Sequence, residues 1–253
     1  MLNGDHFEKY LSALRATPPI GNPMPYGWSR LPPSLPVQWP PYSFYLNEFG
    51  LELANAINRL TYAHARLQAW TEALEGLQEG DQDELYLDLI DDIATTSLTL
   101  PRAIKDRFVF AAVHLCHQAN RISLAPGWKD DLPSDRTINQ KHLARVGAPW
   151  KTYDIFSARL ERIAGRNFKT ATHNFRDLYH HRTPVRIMIG NTQTITRCST
   201  AGKVSYAIGS TPPLSLKQIT SALESQLEPS YAAFEAFQRL VWEQEEAIMA
   251  LIG

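Results

Sequence analysis

Residues 42–78, YSFYLNEFGLELANAINRLTYAHARLQAWTEALEGLQ, decide the fold. The run contains no proline, and Phe44, Phe49, Leu53, Ile57, Leu60, His64, Leu67 and Leu74 recur in it mostly three or four residues apart. That period puts them on one stripe of a long amphipathic helix. The same period returns downstream. Leu85, Leu89, Ile93 and Leu98 predict a second helix over 83–98, after a break at Gly80 and Asp81. Pro101 suits the first turn of a third helix, 102–122, with Ile104, Phe108, Ala111, Ala112, Leu115, Ala119 and Ile122 inward. A fourth, over 152–164, turns Ile155, Phe156, Leu160 and Ile163 to the core. Ser215, with Gln218 three residues on, resembles a capping box opening a last helix over 216–252, which Pro229 kinks or splits. The expected fold is mainly α, a bundle of four to five long helices with helix content well above the usual ~30–35%.

Two segments depart from this pattern. At the N-terminal end, a short helix over 5–16 presents Phe7, Tyr10, Leu11 and Leu14 on one side. Nine prolines then stand between Pro18 and Pro41 among Tyr26, Trp28 and Trp39. So many aromatics do not suit a disordered linker; they predict an extended strap, largely polyproline II, packed on the helical body. The alternative is a proline-rich ligand for a partner. The expected organisation is therefore 1–41 as short helix plus strap and 42–253 as a single helical-bundle domain. Beyond Pro184 the period changes to two, through Val185, Ile187 and Ile189, then Thr192, Thr194, Thr196 and Cys198. With 203–208 and a turn at Ala201 and Gly202 this reads as a β-hairpin inserted at about 185–208, which must pack on helices to be stable. The irregular stretch 124–150, with a short helix near 138–146, is either a lid or an insertion.

Composition narrows the function classes. The 25 basic and 26 acidic side chains leave a net charge of −1, so no global basic field advertises nucleic acid, and any polyanion would need a local basic patch. The two cysteines, Cys116 and Cys198, and the absence of a secretory leader point to reduced thiols in a cytoplasmic protein. No apolar run approaches the ~20 residues that span a bilayer, so no membrane association is expected. Phosphate loops, nucleophile elbows, Cys-x-x-Cys pairs and dinucleotide fingerprints are missing, and no cofactor is expected.

The chemistry concentrates in Asn174-Phe175-Arg176-Asp177-Leu178-Tyr179-His180-His181-Arg182. A helix over 169–179, ended by Pro184, aligns His173, Arg176 and His180 on one stripe and Asn174, Asp177 and His181 beside it. Histidine titrates near neutrality and serves as base or acid. Arg176 offers a bidentate fork for phosphate. Asp177, four residues before His181, is placed to orient that imidazole and raise its pKa. Tyr179 and Asn174 are candidates to contact a base or ribose, and Lys169, Arg182 and Arg186 to supply local charge. The same set also reads as a polar network complementing a helix C-terminus. A third reading is a metal site built from His114, Cys116 and His117 on one helix with His173 and His180 on another. The acidic cluster Asp88, Asp91 and Asp92 reads as a solvated face, with metal chelation the alternative.

The segment Arg176 to His181 resembles the arginine–polar–three–histidine signature of HEPN proteins, helical-bundle domains of prokaryotic toxins, abortive-infection factors and CRISPR ribonucleases. Arg176 matches the motif arginine, Asp177 the polar residue and His181 the histidine, with His180 leaving a second register open. Asp stands where Asn is frequent, and the hairpin after Pro184 is not a general family feature. The resemblance implies a metal-independent endoribonuclease whose composite site forms between two protomers of a homodimer. RNA is then the partner; a protein partner belongs to the alternative, a non-enzymatic helical interaction or ligand-binding module.

Overall fold

The computed structural model describes residues 4–200 and 202–252. Helix makes up 66% of the protein and is joined by one two-stranded antiparallel hairpin, so the architecture is mainly α. In chain order the elements are α1 (Gly4–Ala16), α2 (Pro40–Ala73), α3 (Glu79–Leu85), a π turn (Tyr86–Ile90), α4 (Asp91–Ala119), α5 (Arg121–Leu124) and a 3-10 turn (Asp135–Thr137). There follow α6 (Gln140–Gly147), α7 (Tyr153–Arg162), α8 (Arg166–Ala171), α9 (Phe175–His181), β1 (Ile195–Thr200), β2 (Lys203–Ile208) and α10 (Leu216–Ile252).

The long helices are α2, α4 and α10, of 34, 29 and 37 residues. Helix α2 opens on Pro40 and Pro41, whose missing N–H groups fall among first-turn donors that lack helical partners anyway. It stops short of Gly76, at φ +82°, and not at Gly80, which lies in the first turn of α3. Left-handed backbone costs glycine nothing, and that decides the place of the break. The helices expected over 83–98 and 102–122 are largely one, because Pro101 lies inside α4. An interior proline costs about 3 kcal/mol; complete burial of Leu98 before it and of Ile104 and Phe108 after it offsets that cost. Pro229 likewise lies inside an unbroken α10 and does not split it. The Ser215–Gln218 capping box forms, with Gln218 N–H donating to Ser215 Oγ at 3.2 Å and Ser215 N–H to Gln218 Oε1 at 2.8 Å.

The chain forms two compact units, and α2, α4 and α10 contribute residues to both. This division does not coincide with the expected boundary at 41/42, since α1 and most of the strap belong to different units. The first unit comprises 4–21, Leu60–Leu100 and Gly165–Gln226. Its core includes Leu60, Leu67, Trp70, Leu85, Phe168 and Phe175, all buried. Tyr10 of α1 stacks on Trp70 at 4.1 Å and 11°. The hairpin grows from this unit on a bridged stem. Ile187 pairs with Leu214 and Thr192 with Thr211, and Val185, Ile187 and Leu214 are buried. Beyond the stem, β1 and β2 pair in register from Ile195↔Ile208 to Thr200↔Lys203. Every β2 residue is exposed, so the blade does not pack on helices as expected; the buried stem anchors it instead. Gly202 takes φ +78°, while Ala201, the other residue of the expected turn, lies outside the described residues.

The second unit comprises 22–59, Pro101–Ala164 and 227–252. Phe108, Phe156 and Phe237 pack mutually at 5.7–5.9 Å in its core. Ile155, expected inward on α7, is half exposed, because its neighbour Phe156 takes the buried side. Glu243 caps the start of α7, accepting from the Lys151 and Thr152 N–H groups at 2.8 and 2.9 Å and from Thr152 Oγ1 at 2.6 Å. The strap inserts only some of its aromatics: Trp39 is buried, and Trp28 meets Phe234, Phe237 and Trp242 edge-on. Tyr26 stays half exposed and hydrogen-bonds Asn55 at 3.0 Å. Sequence gave no sign of what fixes the strap, the fully buried Glu245. It accepts from Ser29 Oγ at 2.6 Å and from the Arg30 N–H at 3.1 Å. No helix among the described residues is long and apolar enough to cross a membrane.

Candidate functional site

The single helix expected over 169–179 is two helices, α8 and α9, hinged at His173 and Asn174 with φ of 49° and 54°. Asparagine and histidine accept left-handed backbone better than most residues. The Asn174 N–H closes the turn by donating to the Lys169 carbonyl at 2.6 Å. On either side the chain is pinned by the buried Phe168 and Phe175, and Thr172 Oγ1 donates to the Phe168 carbonyl at 2.8 Å. The hinge removes His173 from the α9 surface, so neither expected three-residue stripe survives as a helical row.

What remains on α9 is a short surface helix on one apolar anchor. The Phe175 ring is 2% exposed, and Tyr179 stacks over it at 5.6 Å and 16° while staying half exposed. The His180 ring stands edge-on to Tyr179 at 5.4 Å and lies 6.4 Å from the His181 ring. His180, His181 and Arg182 are exposed, and Arg176 retains 35% of its side-chain exposure.

The electrostatic pairing differs from expectation. Asp177 accepts from Arg176 Nη1 at 3.1 Å and is not paired with His181. Burial pushes its carboxyl up, but hydrogen bonds from Arg176 and Asn174 and the charges of Lys169 and Arg176 outweigh this and hold its pKa below the ordinary value. The guanidinium fork reaches round to its neighbour, and this nearer cation wins the carboxylate from an imidazole four residues on. Lys169, Asn174, Arg176 and Asp177 thus form one group, with Tyr179, His180 and His181 beyond it on the same helix. Arg186 is not part of that group; it lies within electrostatic reach of Tyr86, which hydrogen-bonds Asp91. Asp88 and Asp92 are exposed.

His114 and His117 serve packing. The His114 ring sits among Tyr45, Phe49 and Phe110, at 5.2, 5.9 and 4.5 Å, and faces Asp135 at 3.4 Å. Burial, opposed by Asp135, lowers its pKa. His117 Nε2 lies 3.0 Å from Asp130, and Trp128 donates to the His117 carbonyl at 3.0 Å. Cys116 between them is buried, accepts from Gln244 Nε2 at 3.1 Å, and has its thiol pushed up to about 12 by burial. Trp128, Asp130 and Asp135 of the 124–150 stretch lie against the two histidines and hold it there. His173 and His180 of the metal reading are both exposed. Among the described residues no three His, Cys, Asp or Glu side chains group as metal ligands.

Three groups that the sequence reading did not single out lie on the hairpin: Arg197, Lys203 and Tyr206, all exposed. A signal for them was available, because residues 178–223 contain no Asp or Glu. No family model, curated protein or solved structure matches this chain, so the HEPN resemblance stands on the α9 residues themselves.

Proposed function

We propose that α9 is the catalytic segment of a HEPN-like, metal-independent endoribonuclease acting in the cytoplasm as a homodimer. The observation that supports this reading is the accessibility of the motif. Arg176 keeps a third of its exposure with one carboxylate partner, and His180 and His181 stand in solvent, although Phe175 fixes their helix. A set held in place from beneath and left open above suits a substrate better than packing does.

In this mechanism His181 of one protomer takes the proton from a ribose 2′-hydroxyl. The 2′-oxygen bonds to phosphorus, the bond to the 5′-oxygen breaks, and the second motif copy returns a proton to that leaving oxygen. The products are a 2′,3′-cyclic phosphate and a free 5′-hydroxyl, with no net proton change. Arg176 exchanges Asp177 for the phosphorane oxygens, where each well-placed donor is worth about 3–4 kcal/mol. Two-fold pairing of α9 places a base and an acid on opposite sides of one phosphodiester.

Arg176→Ala and His181→Ala each reduce cleavage of single-stranded RNA at least about 100-fold, with circular dichroism and dimer mass unchanged. Undiminished cleavage in both variants, from protein freed of contaminating nuclease, removes the reading. A second reading, a non-enzymatic interaction module, is favoured by the Arg176–Asp177 pair, which already engages the guanidinium. Under it the same substitutions alter partner capture and RNA stays intact with wild-type protein.

A further inference from the structure

The β-hairpin is the best-exposed structured element of its unit. Ile195, Tyr206 and Ile208 are 67%, 67% and 91% exposed. Side chains directly opposite each other in an antiparallel ladder share a face. The register Ile195↔Ile208, Arg197↔Tyr206 and Ser199↔Val204 therefore collects three aliphatic side chains, a phenol and a guanidinium on one side of the ribbon. Two-stranded ribbons are marginal in water by themselves, and aliphatic side chains left this wet ask for an occupant.

Charge identifies the occupant. Residues 178–223 hold Arg182, Arg186, Arg197, Lys203 and Lys217 against no carboxylate, in a chain whose net charge is −1. Lys217 is paired with Glu75 at 3.0 Å. Arg182, Arg197 and Lys203 have no ion-pair partner among the described residues, and all three are exposed. The global balance hid a local cationic stretch, and it is the stretch that carries the end of α9 and the ribbon. A protein partner with an aliphatic patch would leave these cations unmatched.

We infer that the hairpin is a nucleic-acid-gripping arm that binds single-stranded RNA, with Tyr206 stacking on a base, Arg197 beside it on the same face engaging a phosphate, and Lys203, opposite Thr200 on the other face next to the turn, engaging the backbone where the strand passes the tip. Bases of a single strand are free to stack on an aromatic face, and that mode tolerates any sequence. A double-stranded RNA offers no unstacked base, and its A-form major groove is too narrow for side chains to read. The choice of RNA over DNA rests on the reading of α9; the claim of polyanion binding does not. The hairpin begins 14 residues after the last residue of α9, at Ile195 against His181, and both belong to the same unit.

The test uses full-length protein and a fluorescein-labelled, 2′-O-methyl single-stranded oligonucleotide, which cannot be cleaved through the 2′-oxygen. Anisotropy titrations are run at several salt concentrations. Tyr206→Ala weakens binding roughly 5- to 150-fold, Tyr206→Phe restores it, and circular dichroism shows both variants folded. Arg197→Ala with Lys203→Ala reduces the slope of log affinity against log salt by about 1.4. Loss of binding in the hairpin variants upholds the inference even where wild-type protein cleaves no RNA, an outcome that would sink only the α9 mechanism. Unaltered binding in those variants, no wild-type binding, tighter binding of a duplex, or self-association abolished by Tyr206→Ala with RNA affinity intact overturns the inference. In each of these four cases the α9 reading is untouched so long as RNA is cleaved.

Discussion

The strap and the α9–hairpin segment are both non-uniform, aromatic-bearing stretches in a helical protein, and they treat their polar groups in opposite ways. In the strap, the hydroxyl of Ser29 and the N–H of Arg30 converge on Glu245, and the Trp28 carbonyl accepts from Trp242 Nε1 at 3.2 Å. Arg30 lies over the Trp242 ring at 4.0 Å. These groups are consumed within the protein. From α9 to β2 the reverse holds: Arg182, Arg197, Lys203, His180 and His181 face water, and the anchors beneath them are the apolar Phe175, Val185, Ile187 and Leu214. A segment whose polar groups are satisfied internally is scaffold. One whose core contacts are apolar and whose polar groups are idle has chemistry to spare for a ligand.

The comparison breaks most easily at Phe175. Phe175→Ala deletes a ring that is 2% exposed and on which Tyr179 stacks, a change that costs about 3–5 kcal/mol in buried sites. Urea unfolding measures the loss. RNA cleavage falls with it although no catalytic group has been touched. A loss below about 1 kcal/mol would mean that α9 is not held from beneath, and the contrast with the strap would lose its basis.

A smaller effect comes from the strap's own anchor. Glu245→Ala leaves the Ser29 hydroxyl and the Arg30 N–H without their acceptor, at about 2–3 kcal/mol. Burial raises the Glu245 pKa above 4.5, against the opposing hydrogen bonds from Ser29 and Arg30. A raised folded-state pKa means that the carboxyl's contribution is complete below the unfolded value and is lost as pH rises through the folded one. Glu245→Gln keeps an acceptor and carries no charge. Its stability relative to wild type therefore improves as pH rises from about 4.5 towards neutrality, and pH-resolved denaturation reads the crossing. A constant difference over that window would show that Glu245 is not held in a desolvated site.

Much of this scaffold was legible. The 216–252 helix and its Ser215–Gln218 cap follow from local chemistry alone, as do the short helix at the N-terminal end and the strand at 203–208, whereas the first strand, expected from Val185, begins only at Ile195, because Ile187 and Thr192 bridge to Leu214 and Thr211 instead. What failed was decided by burial at a distance. Pro101 reads as a helix start, yet Leu98, Ile104 and Phe108 are buried on both sides of it, so the helix runs through. The α8–α9 hinge is hidden in the same way: nothing in Thr172-His173-Asn174 demands left-handed backbone until Phe168 and Phe175 must both be buried. Glu245 looks like one more acid on a helix face, because burial of a single carboxylate leaves no mark in a periodicity. The cationic run 178–223 was readable from the start and was masked by averaging charge over the whole chain.

The smallest expected effect sharpens the comparison most. Asp177 is the last carboxylate before that run, and its depressed pKa means that its contribution is present above the unfolded value of 3.8 and is lost as pH falls through the folded one. Exposed pairs of this kind are worth about 0–1 kcal/mol, so Asp177→Asn barely changes neutral-pH stability and flattens the acid limb of the profile. Its functional effect has a definite sign. RNA phosphate competes with Asp177 for the Arg176 fork, so removing the charge frees the guanidinium. The variant cleaves RNA with undiminished kcat and with KM lowered about two- to fivefold, the range of a weak surface pair. A collapse of kcat would instead mean that the carboxylate orients His181 during turnover, and that the Arg176–Asp177 pair is a resting arrangement which RNA rearranges.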